Sequence, residues 1–352
     1  MKKLTFILAT VFFSLAIGCK DEPIPEEKKS IMPDKITVKI PESISSVDLQ
    51  KSINALNIDT IKGAEIYKLM RVFIFLGASS AEVVEAIVKS IADIEITEPT
   101  QANYVAEDGR QKNLTVVANE TYNDQTWDYF LDCFDGEDNA IQVFWNIEPL
   151  KGVVIMKPSI MNYDYTQNPD AMYKIEFGED NEDYDNYMLI SITGLDSTEQ
   201  NYAKNLKMFV GKLGDIVTVY GNSFHPGVEM TSTGNGINWA FVAQADAVQN
   251  IGVAEICLPD ALCTTSSNIL NDYSIYNVLQ NALTYAGVTD STTISAYLFN
   301  ATAPGYFGET GFVASGTENI PSTEFNILDI STMQPFAPID VYNLSIEFFI
   351  NN

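Results

Sequence analysis

The chain contains a single histidine, His225, in the run Asn222-Ser223-Phe224-His225-Pro226-Gly227. Any Ser-His-Asp relay would have to pass through it. The Pro-Gly pair that follows reads as a turn, which predicts an exposed loop imidazole rather than a catalytic base. Carboxylates are the other abundant chemical resource, with 47 Asp and Glu in all. A glycosidase needs two of them at a fixed separation, but among so many acids a matching pair arises by number alone. Hard oxygen ligands crowd two stretches, Asp132 to Asn139 and Gly178 to Asn186. Calcium prefers such ligands, and Glu179, Asp180, Glu182, Asp183 and Asp185 form the candidate set for a weak Ca²⁺ site. Neither stretch has EF-hand spacing, so a solvated hairpin loop is the simpler expectation, and no other cofactor is expected.

Cys257 and Cys263 bracket Leu-Pro-Asp-Ala-Leu. Closing so short a loop would remove only about 2 kcal/mol of unfolded-chain entropy, and a disulfide or two free thiols fit equally. Cys133 is expected in the core. There is no G-x-S-x-G elbow, no H-E-x-x-H and no Gly-rich phosphate loop. Arginine occurs only at Arg71 and Arg110, so neither a two-His metal site nor a multi-Arg clamp can be assembled. Enzymatic activity is the least favoured reading.

The formal charge of −27 excludes nucleic acid as a partner bound through phosphate neutralisation. The imbalance is local as well as global. No Lys or Arg follows Lys212, and the 140 residues beyond it carry 13 acids. Aromatic residues are generous, with 17 Tyr, 19 Phe and 3 Trp, and exposed rings would suit a sugar-binding surface. The alternation around Trp127, Trp145 and Trp239 favours core positions for all three.

The elements that must position these groups change character along the chain. From Ser45 to about Ile96 the hydrophobic period is helical. Ile66 to Leu76 is apolar nearly all round and must be enclosed, with Gly77 as an expected stop. Ser79-Ser80-Ala81-Glu82 reads as a capping box that starts a second helix, carried on by Val83, Val84, Ile87, Val88 and Ile91. After Pro99 the period is two: Tyr173, Ile175 and Phe177; Leu206, Met208 and Val210; Ile237, Trp239, Phe241 and Ala243. Short turns between these runs favour a meander of antiparallel hairpins. A helix is predicted near Asp272 to Ala286, and Tyr342, Leu344, Ile346 and Phe348 predict a final strand.

The first residues look like an address. Met1-Lys2-Lys3, the apolar run Leu4 to Leu15, and Ala16-Ile17-Gly18 ahead of Cys19 resemble a bacterial lipoprotein signal peptide. The resemblance implies cleavage before Cys19, a diacylglycerol on its sulfur, and a protein anchored in a lipid bilayer through that residue. One departure is Ala16 where the family usually has Leu. Lys20-Asp21-Glu22 resembles the lysine-plus-acids signal that exports some Bacteroidota lipoproteins to the cell surface, which implies an outer-membrane, outward-facing location. Asp59-Thr60-Ile61, Asp196-Ser197-Thr198 and Asp290-Ser291-Thr292 resemble the O-glycosylation signal of that phylum.

The expected organisation is therefore a signal peptide (1–18), a Pro- and Glu-rich tether (19–33), a helical section (34–100), a sheet section (101–262) and a C-terminal section (263–352). The expected fold class is α+β: N-terminal helices packed on a large antiparallel sheet, completed by a C-terminal α+β section. In element order alone, a curved sheet over helices resembles the half-barrel of periplasmic lipoprotein carriers. The leading functional expectation is a non-catalytic surface lipoprotein that binds a glycan or a partner protein. A carrier holding an apolar ligand or lipid inside the sheet comes second, and a carboxylate-based glycoside hydrolase last.

Overall fold

The computed structural model describes residues 30–33, 35–46, 63–94, 96–105, 109–161, 168–195, 203–227 and 234–350. Thirteen strands form one open antiparallel sheet in which every neighbour in space is also the neighbour in sequence, from β1 to β13. They are β1 Thr100–Val105, β2 Gln111–Tyr122, β3 Gln125–Asp135, β4 Asp138–Asn146, β5 Lys151–Met156, β6 Met172–Glu179, β7 Asn186–Thr193, β8 Asn205–Leu213, β9 Ile216–His225, β10 Ile237–Asp246, β11 Ile251–Cys257, β12 Gly305–Gly308 and β13 Gly311–Ser315. Among the described residues the helices are α1 Glu42–Ser45, α2 Gly63–Ala92, α3 Pro158–Met161, α4 Ile269–Asp272, α5 Ile275–Tyr285, α6 Ser291–Tyr297 and α7 Pro338–Tyr342. The α+β expectation holds: helices gather mainly at the N-terminal end and between β11 and β12, around a single meander.

The inner face of the sheet carries α2. Ile175, Phe177, Met188, Met208, Val210, Trp239 and Phe241 all point into one core with Ile66, Leu69, Met70, Ile74, Val84 and Val88 of the helix. The period-two runs read from the sequence thus mark one face correctly. The helix crosses the strands: Tyr67 meets Phe307 and Phe312 of β12–β13, Phe73 meets His225 of β9 and Trp239 of β10, and Gly77 faces Met208 of β8.

Two details of α2 depart from the sequence reading. The helix runs without a break from Gly63 to Ala92, so Gly77 is not a stop. A Cβ built there would lie 2.4 Å from Met208 Cε and 3.3 Å from Leu206 Cδ2. The residue is small because the helix passes close to β8 at that point, a packing demand that looks like a breaker in sequence. The expected capping box is mid-helix instead. Ser80 Oγ donates to the Leu76 carbonyl at 2.8 Å, satisfying its hydroxyl within the helix rather than capping one.

The outer face is covered by the end of the chain. After β13 the backbone makes a 3₁₀ turn at Thr323–Ile327 and then crosses the strands from β10 toward β4. Buried and half-buried side-chain amides and a hydroxyl receive it one strand at a time. Gln244 Oε1 of β10 accepts from Asp329 N at 2.9 Å. Asn222 of β9 accepts from Phe336 N at 2.9 Å and donates to its carbonyl at 3.1 Å. Asn205 Nδ2 of β8 donates to Val341 O at 2.8 Å, and Thr193 Oγ1 of β7 donates to Leu344 O at 3.3 Å. Gln142 of β4 accepts from Phe349 N at 2.8 Å and returns a bond to its carbonyl at 3.0 Å.

This strap corrects the predicted final strand. Residues 343–350 are in no strand. Their alternation is real, since Ile346 is buried and Phe348 packs beside it against Trp127, Phe130, Phe144, Val153 and Ile155. The segment lies across the strands, so side-chain amides replace the ladder that a strand would have used. β12 and β13 of the C-terminal section continue the same sheet, pairing through β11.

Candidate functional site

Beside the strap, part of the outer face is paved with aromatic rings. The positions are set by register: Glu176, Leu189, Phe209 and Tyr220 lie opposite one another across β6, β7, β8 and β9, and Gly178, Tyr187 and Gly211 form the next row. Both rows alternate with inward residues such as Ile175, Met188 and Val210, so they must point outward.

Gly178 and Gly211 sit inside strands β6 and β8. Their missing side chains make room for rings. A Cβ at Gly211 would lie 2.5 Å from Tyr184 Cδ1 and 2.6 Å from Cε1, and one at Gly178 would lie 2.6 Å from the Tyr187 hydroxyl oxygen. Each tyrosine therefore lies against a glycine, and both remain partly exposed. Phe209 joins them, its ring centroid 5.2 Å from Tyr184 and 6.4 Å from Tyr187. Tyr220 stacks on Phe209 at 4.9 Å and meets Phe336 of the strap at 5.2 Å.

The shelf continues into a shallow groove of about 250 Å³ whose lining includes Tyr122, Asn123, Gln125, Trp127, Lys151 and Glu176 as well as Tyr187. Lys151 Nζ stands 5.7 Å from the Trp127 ring centroid, and Gln125 Nε2 is buried without a hydrogen-bond partner. Lys174 pairs with Glu176 at 2.7 Å. Burial raises the pKa of the Tyr184, Tyr187 and Tyr220 hydroxyls, opposed at Tyr184 by a hydrogen bond with Thr218 and helped by smaller contributions from Asp183, Glu176 and Tyr184 respectively, so all three stay neutral at physiological pH. The arrangement offers apolar ring faces beside amide, ammonium and carboxylate groups, a pairing suited to a ligand that is apolar on one side and rich in hydroxyls on its edges.

The residues singled out by sequence fall elsewhere. Cys19, Lys20, Asp21 and Glu22 lie outside the described residues, as do the acceptor-like triplets at 59–61 and 196–198. The third triplet is described: Asp290 caps α6, its carboxylate accepting from Thr293 N and Oγ1 at 2.7 Å each. Cys133, Cys257 and Cys263 are free thiols, so the disulfide alternative for Cys257 and Cys263 is not formed. Cys133 is in the core as expected, where burial pushes its thiol up to about 11.

The candidate calcium loop is a hairpin between β6 and β7, and two of its side chains are engaged by nearby backbone N–H groups. Asn181 Oδ1 accepts from Asp183 N and Tyr184 N, and Asp185 Oδ2 accepts from Gly214 N. Among the described residues no three His, Cys, Asp or Glu side chains are grouped as metal ligands, Glu179, Asp180, Glu182, Asp183 and Asp185 included.

His225 overturns the exposed-loop expectation. It is the last residue of β9 and is 1% exposed, its ring set edge-on to Phe73 with centroids 5.2 Å apart. Ser223 Oγ and His225 Nε2 are 2.8 Å apart, and both are buried in the inner layer under α2. The Pro-Gly turn begins one residue too late to bring the imidazole out. Trp127, Trp145 and Trp239 are buried as expected, Trp145 and Trp239 against the inner core and Trp127 on the outer side. Sequence reasoning missed the tyrosine shelf. Its only trace is a glycine at an outward strand position on each of two strands. Compared with protein-family models, curated proteins and solved structures, the chain shows no significant match.

Proposed function

We propose that this is a non-catalytic, lipid-anchored protein of the bacterial outer membrane, held through Cys19, exported outward by Lys20-Asp21-Glu22, and binding a glycan on its outer sheet face. The observation that carries the binding role is the placement of Tyr184 on Gly211 and Tyr187 on Gly178, in continuity with Phe209 and Tyr220. Two strands give up a side chain so that rings can lie down there, at positions where a core-filling role would instead turn the rings inward. The inner face, where a carried apolar ligand would have to sit, is occupied by α2.

A glycan array probed with the chain, followed by titration of the strongest hit, tests the binding role. Tyr187→Ala with Phe209→Ala should weaken that titration by at least about tenfold, the loss of one good ring contact and its neighbours. The melting temperature should fall only by the loss of this ring packing, with unfolding still cooperative. Silence across the array, or undiminished affinity in the double variant, would sink the glycan reading. The anchor is tested separately: radiolabelled palmitate should enter the parent and not Cys19→Ala.

A further inference from the structure

We propose that a second site, distinct from the aromatic shelf and independent of the glycan reading, binds a phosphate group. It lies where the N-terminal segment 35–41 passes the ends of β6, β7 and β8, in a groove of about 730 Å³. Four lysines line it: Lys35 and Lys39 from the segment, Lys89 from α2, and Lys212 from β8. The acids that also line it are Glu85 and Glu179. The local balance is thus +2 (four minus two) in a chain whose total is −27.

Among the described residues only Lys89 of the four is paired with a carboxylate. Glu85 is engaged by Lys89 and by the N–H groups of Ile36 and Thr37, at 3.2 and 2.7 Å. Burial alone would raise the Glu85 pKa, but the Lys89 ammonium and the Thr37 and Ile36 donors outweigh it and bring it below the usual value, so the carboxylate is committed. Lys35 is held by the neutral amide of Asn186, Nζ to Oδ1 3.0 Å, and no acid among the described residues pairs with it. No acid pairs with Lys39 or Lys212 among the described residues. Among the described residues, three ammonium groups therefore face the groove without a bound carboxylate, in a protein where carboxylates outnumber cations more than two to one.

The size of the excess selects the ligand. A phosphate monoester carries about −1.5 to −2 at neutral pH with several acceptor oxygens, which matches the excess where a single carboxylate would leave half of it. Lysine serves phosphate as a mobile point charge and needs no fork geometry. The groove is also larger than the anion alone, in the range that holds a small molecule. The ligand is thus a phosphorylated molecule, either soluble or a lipid headgroup.

Two titrations of the full chain distinguish the sources: inorganic phosphate against chloride at equal ionic strength, and phosphatidylcholine vesicles with and without phosphatidic acid. Lys39→Gln with Lys212→Gln replaces exposed and half-exposed side chains, so folding should be unaffected. Lys157→Gln, outside the groove, is the control and should behave as the parent. The double variant should lose about tenfold or more in at least one arm, the equivalent of one charge-assisted hydrogen bond. Loss with inorganic phosphate assigns a soluble phosphate ester, and loss confined to the vesicles assigns a lipid headgroup. If the parent prefers neither probe over its control, or if the double variant binds as the parent does in both arms, the proposal is wrong.

Discussion

The two faces of this sheet are covered by different chemistry. On the inner side, α2 presents a continuous apolar stripe, and Ile74, Val84, Val88 and Ile91 reach full burial against side chains of the strands. On the outer side, the strap is held by Gln142, Asn205 and Asn222, themselves 0–2% exposed, whose amides stand in for a neighbouring strand. Apolar burial is non-directional and scales with area. Amide recognition of a backbone is directional and fixes where each residue sits. The inner layer therefore supplies most of the stability, while the outer layer supplies a register for the last residues of the chain. The same division leaves a stretch of the outer face without strap, and the tyrosine shelf occupies it.

That contrast can be broken most severely from the inside. Ile74→Ala removes a fully buried side chain from the centre of α2 and leaves a cavity that neighbouring strands cannot easily close. The expected cost is about 2–5 kcal/mol, read as a fall in the denaturant midpoint with the slope unchanged. A cost under about 0.5 kcal/mol, typical of surface positions, would mean that α2 is not the principal inner support.

A smaller and more local effect is expected on the outer side. Asn222→Ala and Gln142→Ala each remove two hydrogen bonds to the strap and leave partly buried backbone groups of Phe336 or Phe349 unpaired. Each should cost about 1–3 kcal/mol. The informative readout is spatial: hydrogen exchange should quicken at 336–349 and remain slow in α2. Chymotrypsin should then cut the strap first, at Phe336, Phe348 or Phe349. Uniform acceleration over both layers would show that strap and core unfold as one unit, and the division between them would fail.

The same division explains what the sequence discloses. Period-two runs around Ile175, Met208 and Trp239 identify the inner face because apolar burial leaves a repeating trace. The strap leaves none. Gln142 and Phe349 are 207 positions apart, and nothing in a buried glutamine says which backbone it will bind. The helix breaks read at Gly77 and Ser79 fail for a related reason: a close helix–sheet approach and a helix stop both call for glycine, and only the β8 partner separates them. The shelf is half legible. Gly178 and Gly211 are visible, but their role depends on Tyr187 and Tyr184 in neighbouring positions of the hairpin. His225 was misplaced because its flanking turn is easier to read than the strand it ends.

The smallest expected effect lies where the two kinds of bonding meet, at Asp132 on the outer face of β3. Gln142 Nε2 divides its donors between Asp132 Oδ1 at 3.3 Å and the Phe349 carbonyl. Burial raises the Asp132 carboxyl from its usual 3.8 to about 6, against the lowering effect of the Gln142 and Cys133 donors. Because the folded-state value lies above the unfolded one, the ionised group opposes folding at pH 7. As pH falls through about 6 the folded state takes up the proton first, and stability gained from this group accumulates until about 3.8, where the unfolded chain is protonated too. Asp132→Asn removes the charge while keeping an acceptor for Gln142. It should stabilise the protein at pH 7 by on the order of 1 kcal/mol, once partial solvent contact is allowed for, and by almost nothing near pH 4. Paired denaturation curves at the two pH values measure the difference. An equal effect at both would mean that the carboxylate is not desolvated by the strap, and that the outer layer is looser at β3 than its bonds to Phe349 imply.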